Sequence, residues 1–363
     1  MRTNHSTYCL PAAALLTLQL CAQAPQHLVV PAAYATTDAI SFEWIAGASR
    51  DVRQQTLVGA AHLSPLAGRI LTALELRRNA ANETYLGGTA DLTVTLSLAA
   101  NAPLDCSSTF AQNVGTNPIQ VFQGQVTLPT SPPVTGNTVA WSPNDTVRIP
   151  FATPFVYTGG TLCIDIVGAP VAGQNANWWM ADAEFEDIAG TATDLGGGGG
   201  IYGGPTHTWS FVEERSLLPG AYAHFFAYGP PLSLAVAAFG APSPIGVPLS
   251  SLGFASPAGC ELHLATIDAI VPVMLIPEAN PALVSRGGRA DLEIKLPGNS
   301  SALGLTMTTQ WLELSQMATS NAIDWTIAAA VPTLDMALVE GDPTEATGNV
   351  TVHLAHVLRF EYQ

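Results

Sequence analysis

Residues 92–98 read LTVTLSL, and the strict alternation of that stretch decides the fold. In an extended chain successive side chains point to opposite faces, so Leu92, Val94, Leu96 and Leu98 share one side and Thr93, Thr95 and Ser97 the other. A helix would scatter these leucines around its axis, whereas a strand with one buried face collects them. The same period governs residues 290–296 (ADLEIKL), where Ala290, Leu292, Ile294 and Leu296 alternate with Asp291, Glu293 and Lys295, and it returns in residues 303–311. Further strands are expected at 56–63, 69–76, 119–128, 147–152, 161–167, 232–239, 261–267, 324–328 and 349–360. Turn residues separate them, and 27 prolines oppose long helices.

The chain of 363 residues exceeds what one hydrophobic core ordinarily holds. With 48% hydrophobic and 11% charged residues it is far from the disordered class. The expected fold is all-β, with two consecutive β-sandwich domains of jelly-roll or Ig-like type at 25–190 and 229–363, joined by a Gly-rich linker at 191–228. Within the linker, residues 194–202 read DLGGGGGIY, and Gly198, Gly200 and Gly203 match G-x-G-x-x-G. A dinucleotide fingerprint needs a strand before its glycines and a helix after them, because a helix N-terminus holds the phosphate. That context is missing here, so residues 196–204 read as a flexible loop or hinge. Residues 349–363 (NVTVHLAHVLRFEYQ) are expected to form one long strand in the second domain's sheet, apolar on both faces and therefore covered on both. On one such strand His353 and His356 point to opposite sides and do not share an ion.

The N-terminus has a secretory layout over residues 1–24. Arg2 supplies charge, residues 10–20 (LPAAALLTLQL) a short apolar run, and Ala22-Gln23-Ala24 a small-x-small cleavage site, with a cut after Ala22 as the alternative. A secreted or cell-surface location follows, and with it an environment in which disulfides persist. Of the three remaining cysteines, Cys106 and Cys163 fall in the same expected domain, so the expectation is a Cys106–Cys163 bridge with Cys260 free. No later run is long and apolar enough to span a bilayer as a helix. The net charge of −16 repels phosphate backbones, which argues against nucleic acid.

Residues 182–187 (DAEFED) offer Asp182, Glu184, Glu186 and Asp187 as hard oxygen ligands for calcium, without EF-hand spacing. Trp178, Trp179 and Trp209 either brace the interior or present flat apolar faces to sugar rings. Glu184 with Glu186, and Glu213 with Glu214, are nominal glycosidase pairs, with solvated surface acids as the simpler reading. There is no G-x-S-x-G elbow, H-E-x-x-H helix or papain-type cysteine signature.

Residues 248–264 (PLSSLGFASPAGCELHL), 303–314 (LGLTMTTQWLEL) and 321–327 (NAIDWTI) resemble the C-terminal module of large sets of secreted proteins from planctomycete-type bacteria. Residues 85–89 (YLGGT), 108–114 (STFAQNV) and 149–166 (IPFATPFVYTGGTLCIDI) are similar to a module that precedes it in such proteins. The resemblance implies an exported β-rich protein with no established activity and transfers no catalytic residue. The expected function is that of an exported, non-catalytic structural, adhesion or surface-layer protein, with an extracellular polysaccharide or another surface protein as partner. A carbohydrate-binding module is the alternative, and a secreted hydrolase with unplaced acids the third option.

Overall fold

The computed structural model describes residues 25–173, 179–198, 209–278 and 287–363. Among them α-helix is confined to the single turns Ala60–Leu63 and Phe110–Asn113, and the rest of the regular structure is strand with short 3-10 turns. The chain is all-β, as its alternation predicts. Nine strands come first: β1 Gln26–Val30, β2 Ser41–Trp44, β3 Val52–Val58, β4 Arg69–Arg77, β5 Gly88–Leu98, β6 Ile119–Leu128, β7 Thr146–Tyr157, β8 Leu162–Pro170 and β9 Met180–Phe185. An inner series follows: β10 Thr191–Gly196, β11 Trp209–Val212, β12 Tyr222–Gly229, β13 Leu234–Gly240, β14 Pro242–Pro248, β15 Glu261–Leu264, β16 Ala269–Met274, β17 Ile276–Pro277, β18 Gly288–Lys295, β19 Thr306–Glu313 and β20 Ala318–Thr326. The last four are β21 Met336–Gly341, β22 Asn349–Thr351, β23 Leu354–His356 and β24 Leu358–Tyr362.

All ladders between these strands are antiparallel. A four-stranded sheet, β1-β24-β4-β7, faces a six-stranded one, β22-β21-β3-β8-β5-β6. Between them lies the largest apolar cluster, built from Leu74 and Leu76 of β4, Val147 and Ile149 of β7, Leu92, Val94 and Leu96 of β5, Ile164 of β8 and Phe360 of β24. The stretch 92–98 thus turns its apolar face into this core, with Thr93 and Thr95 half-buried on the other side and Ser97 buried there. A three-stranded sheet, β2-β9-β23, joins β4 through an Arg78–Ala181 bridge. The inner strands make sheets of their own, β10-β20-β19-β13-β16 and β11-β12-β18-β17, around a second cluster with Phe225, Phe239, Trp311 and Trp325. Pro272 on the terminal strand β16 and Pro277 on β17 withhold backbone donors there, as prolines at sheet edges do. A third cluster links the two groups, with Leu57, Cys106, Phe110 and Cys163 against Leu218, Ala221 and Ala328.

Three expectations need correction. Residues 349–363 are not one strand in the second group of sheets. A turn at Val352 and His353 splits them, and β22 pairs with β21, β23 with β9, and β24 lies between β1 and β4. The apolar residues on both faces did signal cover on both, but three different sheets provide it. The Cys106–Cys163 bridge is absent: Cys106, Cys163 and Cys260 are all free and buried. Burial in the apolar third cluster pushes both Cys106 and Cys163 up to about 12, so they sit there as neutral thiols. Finally, Gly197 is packed and not hinge-like. Its φ of +86° suits glycine, its carbonyl accepts from Glu261 N (2.9 Å) and Thr319 Oγ1 (3.0 Å), and a Cβ there would stand 2.3 Å from His263 Cδ2. Residues 199–204 of the glycine stretch lie outside the described residues.

Candidate functional site

The outer face of β1-β24-β4-β7 carries charge where its inner face carries leucine. Along β4, Leu74 and Leu76 point to the core while Glu75 and Arg77 point away; along β24, Leu358 and Phe360 point in and Arg359 and Glu361 point out. Antiparallel register sets Glu75 opposite both Arg148 of β7 and Arg359 of β24, and sets Glu361 opposite His27 of β1. Opposite charges facing each other across a ladder stabilise it, and here they join into one network. Arg359 bonds Glu75, whose other oxygen is 3.5 Å from Arg148 Nε. Arg148 Nη2 donates to both oxygens of Glu361 at 3.0 and 2.9 Å, and Thr72 Oγ1 adds a bond at 2.8 Å. Burial alone would raise the Glu361 carboxyl, but the bonds from Arg148 and Thr72 outweigh it and hold it below its usual range.

Trp141, between β6 and β7, closes one end of this network. Its ring centroid is 4.5 Å from the Arg359 guanidinium carbon and 5.0 Å from that of Arg77, and its indole N–H donates to Ala35 O at 3.0 Å. Arg77 is fully buried and bonds Asp182, Val139 O (2.9 Å) and Thr37 O (2.6 Å). Above this floor lies a groove of about 450 Å³, walled by Phe122, Gln125 and Thr127 of β6, Pro143 and Pro150.

The expected calcium ligands do not converge. Asp182 is fully buried, accepts from Arg77 and from Ala39 N (2.9 Å), and burial lifts its carboxyl above the ordinary range even so. Glu184 lies beside the Tyr34 hydroxyl, Glu186 accepts from Thr333 N at 2.9 Å, and Asp187 stands 3.9 Å from Arg215. Among the described residues, His27, Glu75 and Glu361 alone form a His/Cys/Asp/Glu group close enough to share an ion, with ligand atoms within 4.8 Å. Arg148 and Arg359 already neutralise that group.

Trp179 is fully buried, donates to Pro129 O at 2.9 Å and meets Tyr85 edge-on at 5.9 Å, so it braces the core. Trp178 and the side chain of Trp209 lie outside the described residues. Glu213 and Glu214 diverge: Glu214 accepts from Ala192 N at 2.9 Å, while Glu213 is 3.9 Å from His224 Nδ1. His224 Nε2 in turn is 3.6 Å from Glu293. Glu213, Tyr222 and His224 line a smaller pocket of about 280 Å³ with Asn349, Thr351 and His353. The imidazole of His353 is pushed down to about 4 by burial. The groove itself was missed by sequence reasoning; its only local signal is charge at the outward positions of strands whose inward positions are apolar.

No family model matches the chain, and a search of the curated proteins found no match. Among the described residues no helix is long and apolar enough to cross a membrane.

Proposed function

We propose that the protein is an exported, non-catalytic structural, adhesion or surface-layer protein that works by binding. The charge arrangement of the groove supports this reading. Cutting a glycoside by paired carboxylates needs one of them held protonated near neutral pH. Glu361 is held in the opposite direction, and Glu75 is locked between two guanidiniums. Such a floor holds a shape and offers fixed hydrogen-bonding groups without moving protons. Export rests on the apolar run and small-x-small site of residues 1–24. A carbohydrate-binding role is favoured as the specific form of this reading by the groove, which combines apolar walls with polar groups. The test is co-sedimentation of the chain with insoluble polysaccharides and with cell-envelope particles, alongside assay of soluble products. Retention without product release is expected; release of sugars that depends on Glu75 would overturn the non-catalytic reading.

A further inference from the structure

We propose that the groove above Glu75, Arg148 and Arg359 binds a neutral oligosaccharide. The inference rests on the binding reading above and assigns it a place and a ligand chemistry.

The first argument is charge balance. Arg77, Arg148 and Arg359 in and beneath the floor are matched by Asp182, Glu75 and Glu361, each joined to a partner of opposite sign. No guanidinium is left over to attract a carboxylate or sulfate, and the net charge of −16 on the whole chain opposes polyanions. A neutral ligand meets no such penalty.

The second argument is donor and acceptor geometry. Arg148 in the floor, with its side chain 45% exposed, and the exposed Gln125 and Thr127 of β6 all line the groove. Together they offer donors and acceptors, as hydroxyls that must both give and accept bonds require. Thr146 Oγ1, also on the groove wall, is buried without a hydrogen-bond partner.

The third argument concerns the apolar surface. Two guanidiniums already stand against the Trp141 ring, so the indole braces the floor. Contact with the C–H faces of a sugar therefore falls to Phe122 and the neighbouring prolines. The volume of about 450 Å³ lies within the range of small-ligand sites, roughly 300–1,000 Å³.

The experiment is calorimetric titration of the full chain with neutral hexasaccharides (gluco-, manno-, xylo- and galacto-configured) and with oligogalacturonate and oligoalginate, at low and high salt. At least one neutral oligomer should bind with an affinity insensitive to salt. Phe122→Ala and Gln125→Ala should each weaken it about tenfold, near 1.4 kcal/mol; Gln125→Ala should leave the thermal midpoint unchanged, whereas Phe122→Ala should also lower it, because the ring packs against the main cluster. Ile245→Ala, on an exposed strand of the inner sheets, should leave it unaltered. Binding confined to the acidic oligomers and lost in salt would overturn the neutral-ligand assignment, and indifference to both groove variants would overturn the site. If no neutral oligomer binds while the chain still sediments with polysaccharide or envelope particles, the groove proposal fails and the adhesion reading stands. If neither occurs, both fail.

Discussion

Asp182 was one of four calcium ligands expected from the sequence, and its burial against Arg77 gives it the opposite role, a fixed anion under the β4–β9 contact. Removing one member of a buried pair strands the other charge, at a cost of about 3–5 kcal/mol. Asp182→Ala should lower the unfolding free energy by that amount, read as a lower denaturant midpoint at unchanged slope, and chelator or added calcium should leave the wild-type midpoint unmoved. Lys295, the only lysine in the chain, is a half-buried cation. Its ammonium donates to Leu104 O (3.3 Å), Cys106 O (2.8 Å) and Gly220 O, so it ties the inner strands to the segment before Phe110. Lys295→Met should cost about 2–3 kcal/mol, the scale of charge-assisted bonds left unmade, read as a shift in urea midpoint. His353 contributes to acid sensitivity, as buried His356 does in the same direction. The folded chain keeps His353 neutral down to about 4, below its ordinary 6.5, while the unfolded chain takes up the proton at the higher value. The unfolded state therefore binds more protons between those limits, and stability falls as pH drops from about 6.5 to about 4, levelling off below. His353→Phe should flatten that part of the stability profile by up to about 3 kcal/mol; an unchanged slope would show that other groups carry it.

At the scale of elements, β24 matters most, since it fills the centre of its sheet with Leu358 and Phe360 in the core. Deleting residues 358–363 would part β1 from β4 and uncover the main cluster, so the truncated chain should be insoluble or lack a cooperative melt by circular dichroism. A folded, soluble truncation would contradict this. The strands themselves were legible in the sequence because period-two alternation is a local signal, as Leu92, Val94 and Leu96 illustrate. The break at Val352 and His353 was not, since neither residue is a turn-former and the polypeptide bends there to reach a different sheet. Nor was the groove legible: Glu75, Arg148 and Arg359 are far apart in sequence, and their meeting depends on ladder register. Trp179 read in the sequence as a bracing core residue ahead of a sugar platform, and its burial with Tyr85 and Pro129 around it bears out the bracing role.

For the molecule as a whole, the strands do not fall into two consecutive sets. β10 to β20 pair among themselves, and β21 to β24 return to the sheets begun by β1 to β9. The excursion starts and ends in one place: Glu186 bonds Thr333 at 2.9 Å and Thr191 pairs with Thr326. Joining residue 189 to residue 329 through a short Gly-Ser linker should therefore leave the outer sheets folded, with a lower thermal midpoint because Leu218, Ala221, Ala328 and Lys295 are lost. A collapsed, non-cooperative product would mean that the outer sheets depend on the inner ones. The same return path sets an order in time. The inner strands have every partner in hand as soon as they are made, whereas β1 and β4 must wait with an empty slot between them until β24, the last strand of the chain, arrives. The outer sheets therefore close only after the inner ones, and β1 and β4 stay pliable until β24 is in place.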